Sequence, residues 1–378
     1  MGYDLIMKQH HPIRILHIVT YMGRGGLETM IMNYYRHVDR SKVQFDFLVH
    51  RDFEADYDSE ILSLGGRIYH LPPLNPINRD YLSKLDGFFA AHPEYRIVHC
   101  HLDCMAGIPL HYAQRHGVPV RIAHAHSSSQ TKDSKYLLKL LYKRSIPKKS
   151  THLFACADAA GKWMFGTDDF QVLNNAIDAG SYAFDATERL SVRQELGIDE
   201  DAFVAGHVGR FMAPKNHEFL LRIFAHLPEN ARLLLVGDGE LRQNTEKQAD
   251  ALGIRHRVIF TGLRSDVNRL LQAMDVFVFP SIYEGLPVSV IEAQAAGLPC
   301  LISDKVPIEC RKTELVTQIP LDAGEEAWAA AAMSASETPR ENTLNQIRTA
   351  GFDIQSNAAW LQSFYLNNYT HPEGSVTE

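Results

Sequence analysis

Glu284 and Glu292 stand eight positions apart in the stretch "FVFPSIYEGLPVSVIEAQAAGLP". Two carboxylates at that spacing can work as an acid/base couple or can grip hydroxyls, and their setting separates the two uses. The apolar run Val276 to Phe279 predicts a buried parallel strand ending at Pro280 and Ser281. Pro287 suits the first helical position and Gly297 the residue just past the last turn. The segment therefore reads as strand, tight loop, helix. Glu284 lies in the loop, and Glu292 lies on the helix facing the crevice where open α/β sheets bind ligands. The amides of Leu286, Val288 and Ser289 would form an anion site at the helix N-terminus, which Pro287 shapes without donating. A carboxylate beside an anion site is tolerated when the ligand also carries hydroxyls. A nucleotide sugar carries both phosphates and hydroxyls. The plain alternative is a solvated helix glutamate and a loop acid favoured by the helix dipole.

A second group of charges follows another strand. The loop "GHVGRFMAPKN" places Arg210 and Lys215 five residues apart beside Gly209. Two cations at a strand's C-terminal end suit a diphosphate: the guanidinium binds in bidentate fashion, and the ammonium follows charge as it leaves. In "GRGGLE", Gly25 and Gly26 form a short Gly-rich loop after the first predicted strand. Such a loop alone is also what a tight turn requires.

The histidines divide into two sets. "RIAHAHSSS" ends a strand with His124 and His126 on one face; His126 is preferred because the serines after it open the loop, with His124 as the fallback. "VHCHLDC" contains His99, Cys100, His101, Asp103 and Cys104, a superficial likeness to a metal cluster. Its spacing fits no zinc template, and strand alternation sends His99 and Cys100 to opposite faces. No metal and no cofactor are expected. His101 and Asp103, at the strand end, are candidate acceptor-binding residues together with His124.

These residues need a scaffold of alternating strands and helices. Apolar runs at 13–20, 45–49, 97–100, 120–126 and 152–157 alternate with helical stretches, and the pattern restarts at 203–211, 231–239, 258–262, 276–281 and 299–303. That alternation implies α/β architecture with doubly wound parallel sheets in two domains, with a site in the cleft between them. The division is expected at 1–185 and 186–356, with a helix at 357–369 and a frayed tail after it. The 378 residues can bury two cores. Five cysteines without a paired framework fit a reducing, cytoplasmic compartment. No apolar run is long enough to span a membrane. The net charge is −7, and no nucleic-acid partner is expected. Basic residues nevertheless gather between Lys132 and Lys149. There "YLLKLLY" sits among Lys132, Lys135, Lys139, Lys143, Arg144, Lys148 and Lys149. This is either a surface for an anionic membrane or a helix packed by its apolar face.

The wording "EGLPVSVIEAQAAGLPCLIS", its E-x7-E spacing and "GRF-x3-KN" together resemble glycosyltransferase family 4, retaining enzymes with the GT-B fold of two Rossmann-like domains. The likeness covers most of the chain, is strongest at 203–303, and implies that the helix at 357–369 packs back on the first domain, as the C-terminal helix of GT-B proteins commonly does. It implies a retaining, metal-independent transferase moving a sugar from a nucleotide-diphosphate donor, UDP-sugar favoured. The implied acceptor is lipid-linked or a saccharide, in exopolysaccharide or capsule assembly, with peripheral attachment to the inner membrane face. It assigns Glu284 to the donor sugar, Glu292 to the ribose, and Arg210 and Lys215 to the diphosphate. Gly262 and Leu263 fall to the nucleobase, Gly25 and Gly26 to close backbone approach, and His126 to the transferring sugar. Two other readings of the architecture stay open: a nucleotide-sugar 2-epimerase and a non-catalytic sugar-nucleotide-binding subunit.

Overall fold

Among the described residues thirteen short strands, most of them rich in apolar residues, alternate with helical segments, and every paired neighbour runs parallel. The structure, a computed structural model, describes residues 11–127 and 136–370. The expected tail and the positions Lys132 and Lys135 lie outside the described residues. Two compact units are formed, 1–176 with 354–378, and 177–353.

In the first unit the strands are β1 Ile13–Val19, β2 Val43–Val49, β3 Ile68–His70, β4 Ile97–Cys100, β5 Val120–Ala125, β6 His152–Ala155 and β7 Gln171–Val172. Their order across the sheet is β3-β2-β1-β4-β5-β6-β7. Alternation sorts the side chains into two cores. Ile15, Val19, Phe45, Phe47, Ile97, Ile122 and Phe154 pack with helices Gly26–His37 and Ile354–Thr370. Leu16, Ile18, Val98, Cys100, Ala123 and Ala125 pack on the opposite face.

The second unit repeats the plan. Its strands are β8 Val204–Val208, β9 Arg232–Val236, β10 Val258–Gly262, β11 Val276–Phe279, β12 Cys300–Ser303 and β13 Val316–Ile319, in the order β10-β9-β8-β11-β12-β13. In each sheet the strand order reverses once, between β1 and β4 and between β8 and β11. Ligands of such sheets bind outside the strand ends at that reversal. The two expected doubly wound parallel-sheet domains are therefore present.

Three details differ from expectation. The division falls at 176/177 instead of 185/186, because helices Ala179–Tyr182 and Ala186–Glu195 pack on Val267–Ala273, and Ala179–Tyr182 also on Val288–Ala295, all within the second unit. The terminal helix begins at Ile354 rather than 357 and lies against helix Gly26–His37, β1 and β2. Pro287 is the N-cap of helix Val288–Ala295 with extended backbone, φ −76° and ψ 102°, and not its first helical residue.

Candidate active site

The second unit's reversal brings two loops together. After β8 the chain passes Gly209 into a short 3-10 turn, Ala213–Lys215, and Asn216 adopts the left-handed conformation, φ 57°, before helix His217–Ala225. After β11 it passes Pro280 and Ser281. The two loops are stitched together: the Ile282 amide donates to the Pro214 carbonyl at 2.8 Å, and Asn216 Nδ2 donates to the Pro280 carbonyl at 3.1 Å. A third loop closes on them, with the Gly209 amide bonded to the Val236 carbonyl and the Phe211 amide to the Asp238 carbonyl. Gly237, at φ 137°, permits that approach, since a Cβ there would lie 2.2 Å from the Gly209 carbonyl oxygen.

This stitching joins the two motifs. Lys215 Nζ donates to Glu284 Oε1 at 2.7 Å, with 16% and 12% of the two side chains exposed. The same ammonium lies 4.6 Å from the centre of the Phe279 ring. Glu292 has a different partner: its Oε1 accepts from the Tyr182 hydroxyl at 2.8 Å. Burial raises the Glu292 carboxyl above the usual carboxylate range, a rise the Tyr182 bond partly offsets. Glu292 is thus engaged within the fold rather than an ordinary solvated helix acid. Helix Val288–Ala295 has no side-chain cap, and its Val290 amide bonds the Pro287 carbonyl. Val288 and Ser289, in the first turn, precede any intrahelical acceptor.

Arg210 is not gathered with these groups. Its side chain is 70% exposed, and its guanidinium pairs with Glu240 at 3.4 Å. Gly262 takes φ 72° and its carbonyl accepts from the Gly237 amide, while Leu263 beside it is exposed. Leu286 packs partly buried against the second unit's core.

In the first unit, Gly25 is the N-cap of helix Gly26–His37, its carbonyl accepting from the Thr29 amide, and no atom crowds a Cβ built on Gly26. At the reversal between β1 and β4 the histidines converge. His17 Nδ1 lies 3.0 Å from His101 Nε2, and His101 Nδ1 lies 2.9 Å from His126 Nε2. Alongside, the Tyr365 hydroxyl is 2.7 Å from His99 Nδ1, and His99 Nε2 is 3.1 Å from His124 Nδ1. Burial holds all five imidazoles far below the usual histidine range, so they are neutral near pH 7. A neutral His126 can exchange a hydrogen bond with a sugar hydroxyl but brings no positive charge of its own. Asp103, at φ 45°, accepts from the His126 amide at 2.9 Å and from Ser127 Oγ at 2.8 Å, anchoring the loop after β5.

Sequence reasoning missed Tyr182 and His17. Tyr182 comes from a linker with no pattern. The signal for His17 was present as a polar residue in the buried half of "IRILHIV", on the face shared with Ile15 and Val19. Cys100 does fall on the opposite face from His99, and its thiol is pushed up to about 12 by burial. Helix Tyr136–Lys143 buries none of its residues, and Leu137 and Leu141 are exposed. Lys143 donates to the Trp163 carbonyl and lies over the Trp163 ring, Lys148 is exposed, and Lys139 and Lys149 are half-buried. Among the described residues no helix is long and apolar enough to cross a membrane.

Residues 24–180 match the family model described as Glycosyltransferase Family 4, and residues 188–348 the one described as Glycosyl transferases group 1. The chain is 38% identical over 375 residues to EpsF of Bacillus subtilis (strain 168), a protein named as a glycosyltransferase, covering 93% of this chain and 96% of that relative. It is 29% identical over 227 residues to the Escherichia coli UDP-Gal:alpha-D-GlcNAc-diphosphoundecaprenol alpha-1,3-galactosyltransferase, covering 56% of this chain and 58% of that relative. The fold is similar to that of Anabaena Alr3699/HepE crystallised with UDP: TM-score 0.77, 17% identity, 94% of this chain and 100% of that chain. The same protein crystallised with UDP-glucose gives a TM-score of 0.75 at 18% identity over 94% of this chain and 99% of that chain.

Proposed function

This chain belongs to glycosyltransferase family 4, and from that premise we propose that it transfers a sugar, with retention, from a UDP-sugar to a lipid-linked saccharide in exopolysaccharide assembly. The observation that carries the proposal is the Lys215–Glu284 ion pair at the reversal between β8 and β11, beside a helix N-terminus without a side-chain cap. A shielded ion pair that can exchange partners suits a substrate carrying both a diphosphate and hydroxyls. Lys215 turns from Glu284 to the diphosphate as negative charge builds on the leaving oxygen, and Glu284, released, accepts hydrogen bonds from the donor sugar. The Val288 and Ser289 amides share the phosphate charge. Glu292, oriented by Tyr182, accepts from the ribose hydroxyls, and the backbone at Gly262 and Leu263 meets the base.

The acceptor hydroxyl attacks from the side the diphosphate leaves, and its proton passes to the departing phosphate oxygen. The linkage therefore keeps the donor's configuration, with Glu284 orienting hydroxyls and forming no covalent bond. No metal is assigned to this step. His126 meets a hydroxyl of the transferring sugar. Arg210 joins the diphosphate by exchanging its exposed contact with Glu240. A lipid-linked acceptor is supported by the undecaprenol-linked substrate named for the E. coli relative. It is supported also by the exposed leucines of helix Tyr136–Lys143 beside Lys148, which suit the anionic cytoplasmic face of a membrane.

Incubating purified protein with a panel of nucleotide sugars, with and without an undecaprenyl-diphosphate saccharide, tests the reading. Acceptor-dependent release of UDP with an α-linked product is expected. A changed sugar on the nucleotide would indicate an epimerase, and binding without turnover a silent subunit; either rejects the proposal.

A further inference from the structure

The five histidines gathered at the reversal between β1 and β4 do more than the proposed transfer requires of them. Three neutral imidazoles linked in a row, as His17, His101 and His126 are, hold three N–H groups and three lone pairs. The two hydrogen bonds of the row use two of each. One N–H and one lone pair are left over, at opposite ends whichever way the tautomers run. Those ends are His17 Nε2 and His126 Nδ1, both buried and without a hydrogen-bond partner. The parallel row leaves His124 Nε2 in the same condition. Unpaired buried polar atoms are uncommon and call for an explanation.

We propose that His101, His124 and His126 bind a divalent transition-metal ion of the zinc class. One ring nitrogen from each lies within 4.8 Å of the others. The His101 Nδ1 to His126 Nε2 separation of 2.9 Å needs only a slight opening. Two nitrogens on a tetrahedral ion with Zn–N bonds of about 2.0–2.1 Å stand roughly 3.3 Å apart. His124 brings one nitrogen to this group, and its Nε2 carries no hydrogen bond. An all-imidazole set favours zinc, nickel, cobalt or copper over magnesium or calcium.

The surroundings resemble the support that metal-bound histidines receive elsewhere, where the non-ligating ring nitrogen is held by a hydrogen bond. His101 Nε2 is held by His17, and His124 Nδ1 by His99, which is held in turn by Tyr365. Asp103 supplies negative charge next to the site: it accepts from the His126 amide and from Ser127, and among the described residues no lysine or arginine pairs with it. Once Nε2 of His126 is bound, its proton must sit on Nδ1. The atom without a partner then becomes a fixed donor. The three residues stand out singly in the sequence but not as one ligand set, because they come from two strand ends, whereas the local run "VHCHLDC" splits across the sheet. All three ligands belong to the first unit, and no step of the proposed transfer is routed through the ion.

The test uses full-length protein without a polyhistidine tag, stripped with a chelator and titrated with Zn2+ against a chromophoric competitor. In parallel, Co2+ reports coordination through its visible d–d bands. About one equivalent is expected to bind, with tetrahedral cobalt bands and no thiolate charge-transfer band. His124→Gln should weaken binding by roughly 100-fold or more, and His17→Gln by about 10-fold through loss of the outer hydrogen bond. His217→Gln, in the other unit, should leave it unchanged. Absence of stoichiometric binding, a thiolate band, or equal affinities for His17→Gln and His217→Gln overturns the proposal. If His124→Gln does not fold, the cobalt spectrum and the His17→Gln affinity still decide.

Discussion

Replacing Lys215 with Met should damage the protein more than replacing both Lys215 and Glu284. The ammonium and carboxylate are 2.7 Å apart and mostly shielded from water, so removing the cation strands Glu284. Breaking a fully buried pair costs about 3–5 kcal/mol, and the remaining exposure of 16% and 12% reduces this to roughly 2–3 kcal/mol. For a unit of this size, each kcal/mol moves the melting point by about 2–4 °C, so Lys215→Met should lower the second unit's transition by roughly 4–12 °C. The double variant Lys215→Met/Glu284→Gln removes the stranded charge and should recover at least half of that loss. Differential scanning calorimetry of the four proteins closes the cycle. The same set, melted with UDP, tests function: the stabilisation UDP gives wild type should largely vanish without Lys215. A coupling below about 0.5 kcal/mol, or a double variant no more stable than Lys215→Met, would refute the reasoning.

Three further outcomes are expected. Tyr182→Phe removes the hydroxyl donor that favours the Glu292 carboxylate, so UDP affinity should fall several-fold and its acid limb, followed by calorimetric titration, should move to higher pH. His217 is held neutral by burial and by Lys215, its pKa lowered to about 4. A depressed base contributes stability above its unfolded pKa near 6.5 that is lost as pH falls toward 4; at pH 5 the loss is about 2 kcal/mol. His217→Phe should flatten that part of a stability-versus-pH curve, and an unchanged slope would exclude His217 as its source. Exchanging Leu137 and Leu141 for Ser should reduce flotation with anionic vesicles while leaving UDP binding intact; unchanged flotation removes helix Tyr136–Lys143 from membrane docking.

Most of the scaffold was readable because central parallel strands are apolar on both faces, as in "FVF" and "LLLV". The three strands overlooked, β3, β7 and β13, are edge or near-edge strands of two to four residues with mixed burial, too short and too polar to stand out. The loops proposed to hold the donor announced themselves through Gly, Pro and paired charges at strand ends. Their contacts did not. Glu284 meets Lys215 across 69 positions, where β8 pairs with β11, and Glu292 meets Tyr182 across 110, where helix Ala179–Tyr182 packs on helix Val288–Ala295. Arg210 was grouped with Lys215 by proximity in sequence, yet the loop sends it to Glu240.

The helix Ile354–Thr370 has a consequence for how the chain is made. Ile354, Ala358, Leu361 and Tyr365 complete a core whose other members, from Ile15 to Ala176, are synthesised first, while residues 177–353 emerge in between as a compact unit of their own. During synthesis the earlier segment must wait, with Phe45, Phe154 and the histidine rows lacking their cover, until the later unit has left the ribosome. Domains usually mature in the order they are translated. Here the order of completion is inverted, and a nascent chain halted before residue 354 would present that uncovered face to chaperones and proteases.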